Sequence, residues 1–382
     1  MESKSLIDKA SAAGAAIPGA TASERRVLAA LLREGKLTQA AISDRVGLAQ
    51  QSVSRLLAEL TRRGCITQAG PVALGQRGQS PVAFKLAGPF ATSIGVGIMA
   101  DTISLALLDF AGDVIGEGAQ TLPDMRRDTV LLAIEGLLTS LSKRYQVDRT
   151  RLLGIGAGVS GFFTDDPHTL NTPASLDDWA LVDIASLLSE HFELPAWMDN
   201  DGNAAALGEG MIGVGRWARK FAYLYFATGL GGGVMIDGQL MRGSHGNAGE
   251  FAGILPPSYP HPNLDSLRVQ LQRNGIDTEH VAAMVAGFDP TWPGVSAWLD
   301  EMMPSLNLMI SAIHAVLDPD AIVLGGRMPP ALAELVIPRI ALNSTQRRGV
   351  PPPQPTVVLA QAGGDATAIG AALLPFKNCY FD

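Results

Sequence analysis

Cysteine is nearly absent from this chain: 382 residues contain two, Cys65 and Cys379, far apart in the sequence. That scarcity excludes a disulfide framework and any cysteine-based zinc site within one segment, and it suits a reducing compartment. Long apolar runs are missing too. None reaches the roughly 20 residues that a membrane-spanning helix needs, and the N-terminus lacks a cationic start leading into an unbroken apolar core. A soluble, cytoplasmic protein with no membrane partner is expected. Aromatics are sparse at 6 %, yet 47 % of residues are hydrophobic, enough to bury large cores. The length exceeds that of one ordinary domain, so two or three are expected. Residues 1–20, rich in Ala and Gly with mixed charges, read as a flexible tail.

What the chain does have begins at Thr21. Thr21 and Glu24 fit a capping box that opens a helix to about Glu34, with Val27, Leu28, Leu31 and Leu32 on one side. Residues 38–63 then describe two short helices joined by a tight turn at Gly47. Ala41, Ile42, Val46 and Leu48 mark the apolar side of the first, and Val53, Leu56, Leu57 and Leu60 recur at helical intervals through the second. Opposite that stripe lie Gln50, Gln51, Ser52, Ser54 and Arg55, whose side chains suit base edges and phosphates in a major groove. Ile66, the glycine-rich run at 75–81 and the alternating Val82 to Leu86 read as a two-stranded wing with Arg77 at its tip. The unit predicted over 21–88 is a winged helix-turn-helix.

A three-helix unit of this kind also occurs in proteins that never meet nucleic acid, and charge helps to decide. Residues 1–90 hold 12 Lys and Arg against 6 Asp and Glu, whereas residues 91–382 hold 17 against 31. A basic module tethered to an acidic one suits phosphate binding at the first and keeps DNA off the second. Double-stranded DNA is therefore the expected partner.

From residue 89 onward strands alternate with helices. Residues 93–99, 103–110 and 113–120 read as three consecutive strands, followed by a helix near 129–145 and a strand at 152–159. A second set follows at 220–229, 232–238 and 239–243, with helices near Trp298 to Leu317 and Ala331 to Arg348 flanking a strand at 321–326. Two similar α/β halves imply two lobes around a cleft, where ligands sit at loops leaving the carboxyl ends of strands. The predicted fold class is α/β: the winged head followed by a two-lobed body over 89–382.

The segments Asp199 to Glu209, Ala227 to Gly243, Gly246 to Phe251, Ile322 to Gly326 and Gly363 to Leu373 resemble, in that order, those of the ROK family, named for repressors, open reading frames and kinases. The resemblance spans nearly the whole chain. It implies a sugar-kinase-like body of the actin and hexokinase type, in several members fused to a winged helix-turn-helix. It also implies that Asn200, Asp201 and Glu250 hold a sugar, with Asp201 in the place of the base that deprotonates the attacking hydroxyl; Asn171 is a further candidate. From the residues alone, Asn200 and Asp201 have an alternative use, turn and capping duty before the helix that follows.

Two departures from the family matter. Where sugar-phosphorylating members carry an Asp-x-Gly-Gly-Thr loop, this chain has Gly97, Ile98, Met99, Ala100 and Asp101. An acid facing phosphate at roughly 4 Å costs about 4 kcal/mol at an effective dielectric near 20, so nucleotide binding should be severely weakened. The second loop keeps Thr228, Gly229, Gly231 and Gly232, but such a loop also serves to turn one strand into the next. The family's Gly-His and its cysteine cluster are replaced by Ala252 and Gly253 with no cysteine before Cys379, so no zinc site of that kind, and no cofactor, is expected. The resulting expectation is a sugar-responsive regulator, a repressor, binding an inverted repeat as a homodimer or dimer of dimers under control of a sugar or sugar phosphate. The alternative is an ATP-dependent sugar kinase with an accessory DNA-binding module.

Overall fold

In a computed structural model, residues 19–71, 81–343 and 347–382 are described. Arg77, expected at the wing tip, lies outside them, as does nearly all of the expected tail.

The head opens with α1 (Ala22–Glu34), whose capping box is complete: the Thr21 side chain accepts from Glu24 N–H and the Glu24 carboxylate accepts from Thr21 N–H at 2.8 Å. A short strand β1 (Leu37–Thr38) leads into α2 (Gln39–Val46), which stops at Gly47 in the left-handed region with φ of 65°. That conformation lets α3 (Gln50–Arg62) leave at the angle a helix-turn-helix requires. Strands β2 (Ile66–Pro71) and β3 (Val82–Leu86) pair antiparallel and β1 joins β3, giving a small sheet beside the three helices.

The first lobe carries β4 (Thr92–Ile98), β5 (Thr102–Asp109), β6 (Val114–Thr121), α4 (Arg127–Tyr145), β7 (Leu152–Val159), the small hairpin β8 (Phe162–Phe163) and β9 (Leu170–Asn171), α5 (Ile184–Phe192) and β10 (Ala196–Asn200). Next comes α6 (Asp201–Ile212), then the second lobe: β11 (Phe221–Phe226), β12 (Leu230–Ile236), β13 (Gln239–Leu240), α7 (Leu264–Arg273), α8 (Val281–Ala286), α9 (Val295–Leu317), β14 (Ala321–Gly326), α10 (Pro330–Val336) and β15 (Thr356–Leu359). The final described helix, α11 (Ala366–Cys379), returns to the first lobe.

Each lobe has the same sheet: three antiparallel neighbours, then two strands added in parallel, in the orders β6-β5-β4-β7-β10 and β13-β12-β11-β14-β15. The helix expected from Ala331 to Arg348 is much shorter. Pro338 cannot donate to the carbonyl one turn back, so α10 closes at Val336 and tightens into a 3-10 turn at Ile337–Arg339. The strand expected over 239–243 is shorter, with Gln239 and Leu240 paired to Ile236 and Met235 and a last bond from Met241 N–H to the Val234 carbonyl.

Three glycines set how closely the layers approach. α11 lies across β4 and β7, and a Cβ on Gly95 or Gly156 would collide with the α11 carbonyls of Ala368 or Ala371. On its other side α11 crosses α6 where a Cβ on Gly370 would strike the carbonyl of Ala204. The contacts are backbone on backbone, so no side-chain rotamer can relieve them.

Head and body share one hydrophobic core. Val27, Leu28, Ile42, Val53 and Leu57 from the head are continuous with Phe110, Ile212, Leu373, Phe376, Tyr380 and Phe381 from the body. Phe110 stands at its centre, edge-on to Tyr380 at 5.1 Å and stacked on Phe381 at 5.4 Å. Polar ties reinforce the seam: Ala20 N–H donates to the Cys379 carbonyl at 2.9 Å and the Arg25 guanidinium to the Asn378 carbonyl at 2.7 Å. Cys65 and Cys379, remote in sequence, both pack at this seam.

Gly370→Ala should cost about 2 kcal/mol or more, because neither backbone can retreat. Gly136→Ala, inside α4 with nothing within 4 Å of the added Cβ, should be neutral or stabilising by up to about 1 kcal/mol. Urea unfolding of both variants checks the pair; equal losses would refute the close-approach argument.

Candidate functional site

The parallel registers bring three strand ends to one rim: Ile98 pairs with Val159, and Val159 with Asn200. The residues that follow, Met99, Ser160 and Asp201, therefore emerge side by side at the cleft. Asp201 opens α6 and is buried, with 7 % of its surface exposed. Its Oδ2 accepts from the Ser160 hydroxyl at 2.5 Å and its Oδ1 from Gly202 N–H at 2.9 Å. Burial still outweighs these bonds and pushes the carboxyl above its ordinary range. Glu250, in the loop of the second lobe, is pushed up to about 7, first by desolvation and then by the charge of Asp201. Solvent reaches its surface, yet the surrounding walls strip away much of its hydration.

Asn200 performs the capping work. Its side-chain oxygen accepts from Gly202 and Asn203 N–H at 2.8 and 3.1 Å, and its amide donates to the Gly161 carbonyl. Asn171 lies on β9, exposed, where its backbone crowds Gly161, so it borders the same corner. Thus Asn171, Asn200 and Asp201 are neighbours.

Sequence reasoning missed the charge pair beneath them. Asp199 is wholly buried and accepts from Arg242 through both oxygens, at 3.1 and 2.5 Å, as well as from Asn200 N–H and the Asn203 amide. Arg242 comes from the second lobe, where the β13 ladder ends, so this bidentate pair ties the lobes together. The available signal was an acid near the end of a strand, just ahead of a helix. Asn247 adds a second tie, accepting from Phe163 N–H at 2.7 Å and donating to its carbonyl at 2.9 Å.

The other end of the cleft differs from expectation. Asp101 does not face open space: its Oδ1 lies 3.3 Å from Nη1 of Arg327 in the second lobe. Thr228 and Gly229 form the exposed tip of the β11–β12 hairpin, while Gly231 and Gly232 lie within β12. Gly232 is needed there, since a Cβ would strike the Phe251 ring; at Gly229 and Gly231 nothing lies within 4 Å.

In the head, Gln50, Gln51, Ser52, Ser54 and Arg55 are all exposed on α3 while Val53, Leu57 and Leu60 are buried. Ala49 at its N-cap makes no side-chain cap, leaving first-turn N–H groups outward and able to meet an anion. Among the described residues, no helix is long and apolar enough to cross a membrane.

A winged helix joined to a two-lobed sugar-kinase-like body is the class these features define. Residues 93–261 match the ROK family and residues 19–77 the MarR family. The chain therefore carries a ROK family domain behind a MarR-type winged helix. It is 26 % identical over 373 residues to the uncharacterized protein y4fQ of Sinorhizobium fredii, covering 96 % of this chain and 93 % of that one. It is 31 % identical over 226 residues to a xylose repressor of Caldicellulosiruptor bescii, covering 59 % of this chain and 56 % of that protein. Among solved structures, a ROK family transcriptional regulator described as a homolog of the E. coli MLC protein shares the fold, with a TM-score of 0.68 at 17 % identity over 94 % of this chain and 97 % of that one.

Between about pH 4.5 and 7 the folded chain holds a proton at Glu250 that the unfolded chain releases, so this group's contribution to stability falls as pH rises through that window. Glu250→Gln removes the slope. In melting curves from about pH 5 to about pH 8 the variant should gain on the parent as pH rises; parallel curves would show that Glu250 ionises normally.

Proposed function

We propose that this chain is a sugar-responsive, DNA-binding transcriptional regulator, a repressor of sugar-metabolism genes. Residues 21–88 form its reading unit and 89–382 its effector-binding unit, in a cytoplasmic homodimer that spans an inverted repeat. The observation that carries the reading is the shared core: the α3 face and the Asp201 cleft belong to one packed body, joined through α11. Gln50, Gln51, Ser52, Ser54 and Arg55 enter the major groove, and the open amides of α3 meet a phosphate. Arg77 extends this contact from the wing.

In the cleft, Asn171, Asp201 and Glu250 bind the hydroxyls of a small sugar or sugar phosphate, and Asn200 aligns Asp201. Ring hydroxyls are donors and acceptors at once, so neighbouring carboxyl groups, one of them protonating near neutrality, match them in both senses. Two half-sites on one DNA face demand a fixed spacing, so a small rotation of the heads on effector binding breaks simultaneous engagement. The relatives named as xylose repressors accord with this assignment.

Arg55→Ala should weaken binding to a duplex selected from a randomised pool by about tenfold or more, and fluorescence anisotropy at moderate salt measures it. An unchanged isotherm would remove α3 from the groove. A thermal-shift screen of sugars and sugar phosphates identifies the effector: a ligand at 100 times its Kd adds about 2.7 kcal/mol of stability. Asp201→Asn should abolish that shift, and a shift of equal size in the variant would move the effector elsewhere.

A second reading, an ATP-dependent sugar kinase, rests on Gly229 and Gly231. Among the described residues no packing demands glycine at either place, which is what close approach of a ligand to the backbone would explain. ADP release over a panel of hexoses and amino sugars, abolished by Asp201→Asn, would establish it.

A further inference from the structure

The cleft is tied at both ends, and in both places an acid of the first lobe meets an arginine of the second. The ties are unequal. Asp199 is wholly buried and receives both guanidinium nitrogens of Arg242 together with two further donors. Asp101 and Arg327 meet through a single contact at 3.3 Å, with side chains 23 % and 14 % exposed. The first pair is built as a pivot and the second as a strap.

The surroundings of the strap are already satisfied from within. Asp101 sits in the turn between β4 and β5, and the Thr102 hydroxyl donates to the same carboxylate oxygen at 2.9 Å. Arg327 directly follows β14, anchored by its own N–H to the Phe226 carbonyl at 2.7 Å. The neighbouring Gly326 N–H, an amide that could serve an anion, is taken by the Tyr223 hydroxyl at 2.7 Å. Below, the Tyr225 hydroxyl pairs with Thr367 at 2.7 Å against the Met99 sulfur. The guanidinium of Arg327 is thus the one cationic group drawn into this end of the cleft among these contacts, and it offers five N–H donors in a planar fork suited to phosphate oxygens. A tethered carboxylate competes for it at an effective concentration on the order of millimolar or above, without diffusing away.

We propose that Asp101 acts as a built-in surrogate for an anionic ligand: it occupies Arg327 from the opposite lobe, straps this end of the cleft shut and masks an anion receptor. The inference concerns the cleft alone and holds whatever the head contacts. It turns the expected effect of Asp101 around. The acid excludes phosphate less by repelling it than by taking its partner. Release of the strap frees the lobes to turn about the Asp199–Arg242 pair, and because β4, which leads into the Asp101 turn, seats α11 at Gly95, that turning is transmitted toward the head.

The test uses the full chain and inorganic pyrophosphate. In titration calorimetry the nearly isosteric Asp101→Asn should bind pyrophosphate at least about tenfold more tightly than the parent, and adding Arg327→Gln should abolish the gain. No gain in the single variant, or a gain that survives in the double, overturns the receptor. Hydrogen exchange reads the strap without any ligand: residues 99–102 and 326–328 should both exchange faster in Arg327→Gln, and the swap Asp101→Arg with Arg327→Asp should slow them again. Unchanged exchange in Arg327→Gln, or failure of the swap to restore protection, overturns the strap.

Discussion

Everything in this molecule is referred to the seat of α11. A helix normally keeps its neighbours 8 to 10 Å away because side chains fill the gap. Here small residues remove that spacer on both sides, so the carbonyls of Ala368 and Ala371 rest on the first sheet while Gly370 presses on Ala204 of α6. The interface has no soft layer. A displacement of one sheet cannot be absorbed by side-chain rearrangement and must pass to the next element, which is the condition for a local event in the cleft to reach a distant surface. Thr367 near one end of α11 touches Tyr225 in the cleft, and Phe376 near the other packs into the core of the head.

Charge is arranged with comparable economy. The acids that meet arginines across the cleft come from the first lobe, and the arginines from the second. Asp201 and Glu250 have no cationic partner among the described ion pairs, and burial raises the carboxyl of each, the charge of Asp201 adding to the rise at Glu250. A neutral, hydroxyl-rich ligand can satisfy such a pair without a counterion. The deep burial of Asp199 would be costly alone, and its four donors explain why it is tolerated.

The parts that could be read from the sequence are those specified locally. The capping box at Thr21 and Glu24, the turn at Gly47, the polar face of α3 and the doubled strand pattern depend on residues within a few positions of each other. The parts that could not be read depend on partners far along the chain. Asp199 with Arg242 and Asp101 with Arg327 are paired only by the closing of the lobes, and single residues carry no such pairing information. The short α10 has a local cause: apolar periodicity continues past Val336, but Pro338 breaks the hydrogen-bond ladder.

The bond between Ala20 and Cys379 joins segments about 360 residues apart. During translation at roughly 5 to 20 residues per second, the winged head is complete some 15 to 60 s before the helix that receives it. The core shared by head and body lacks Leu373, Phe376, Tyr380 and Phe381 for that interval, and a nascent chain cut short ahead of residue 366 never gains them. Orientation of the head therefore waits on translation through α11, whose residues complete the core on which the head is seated.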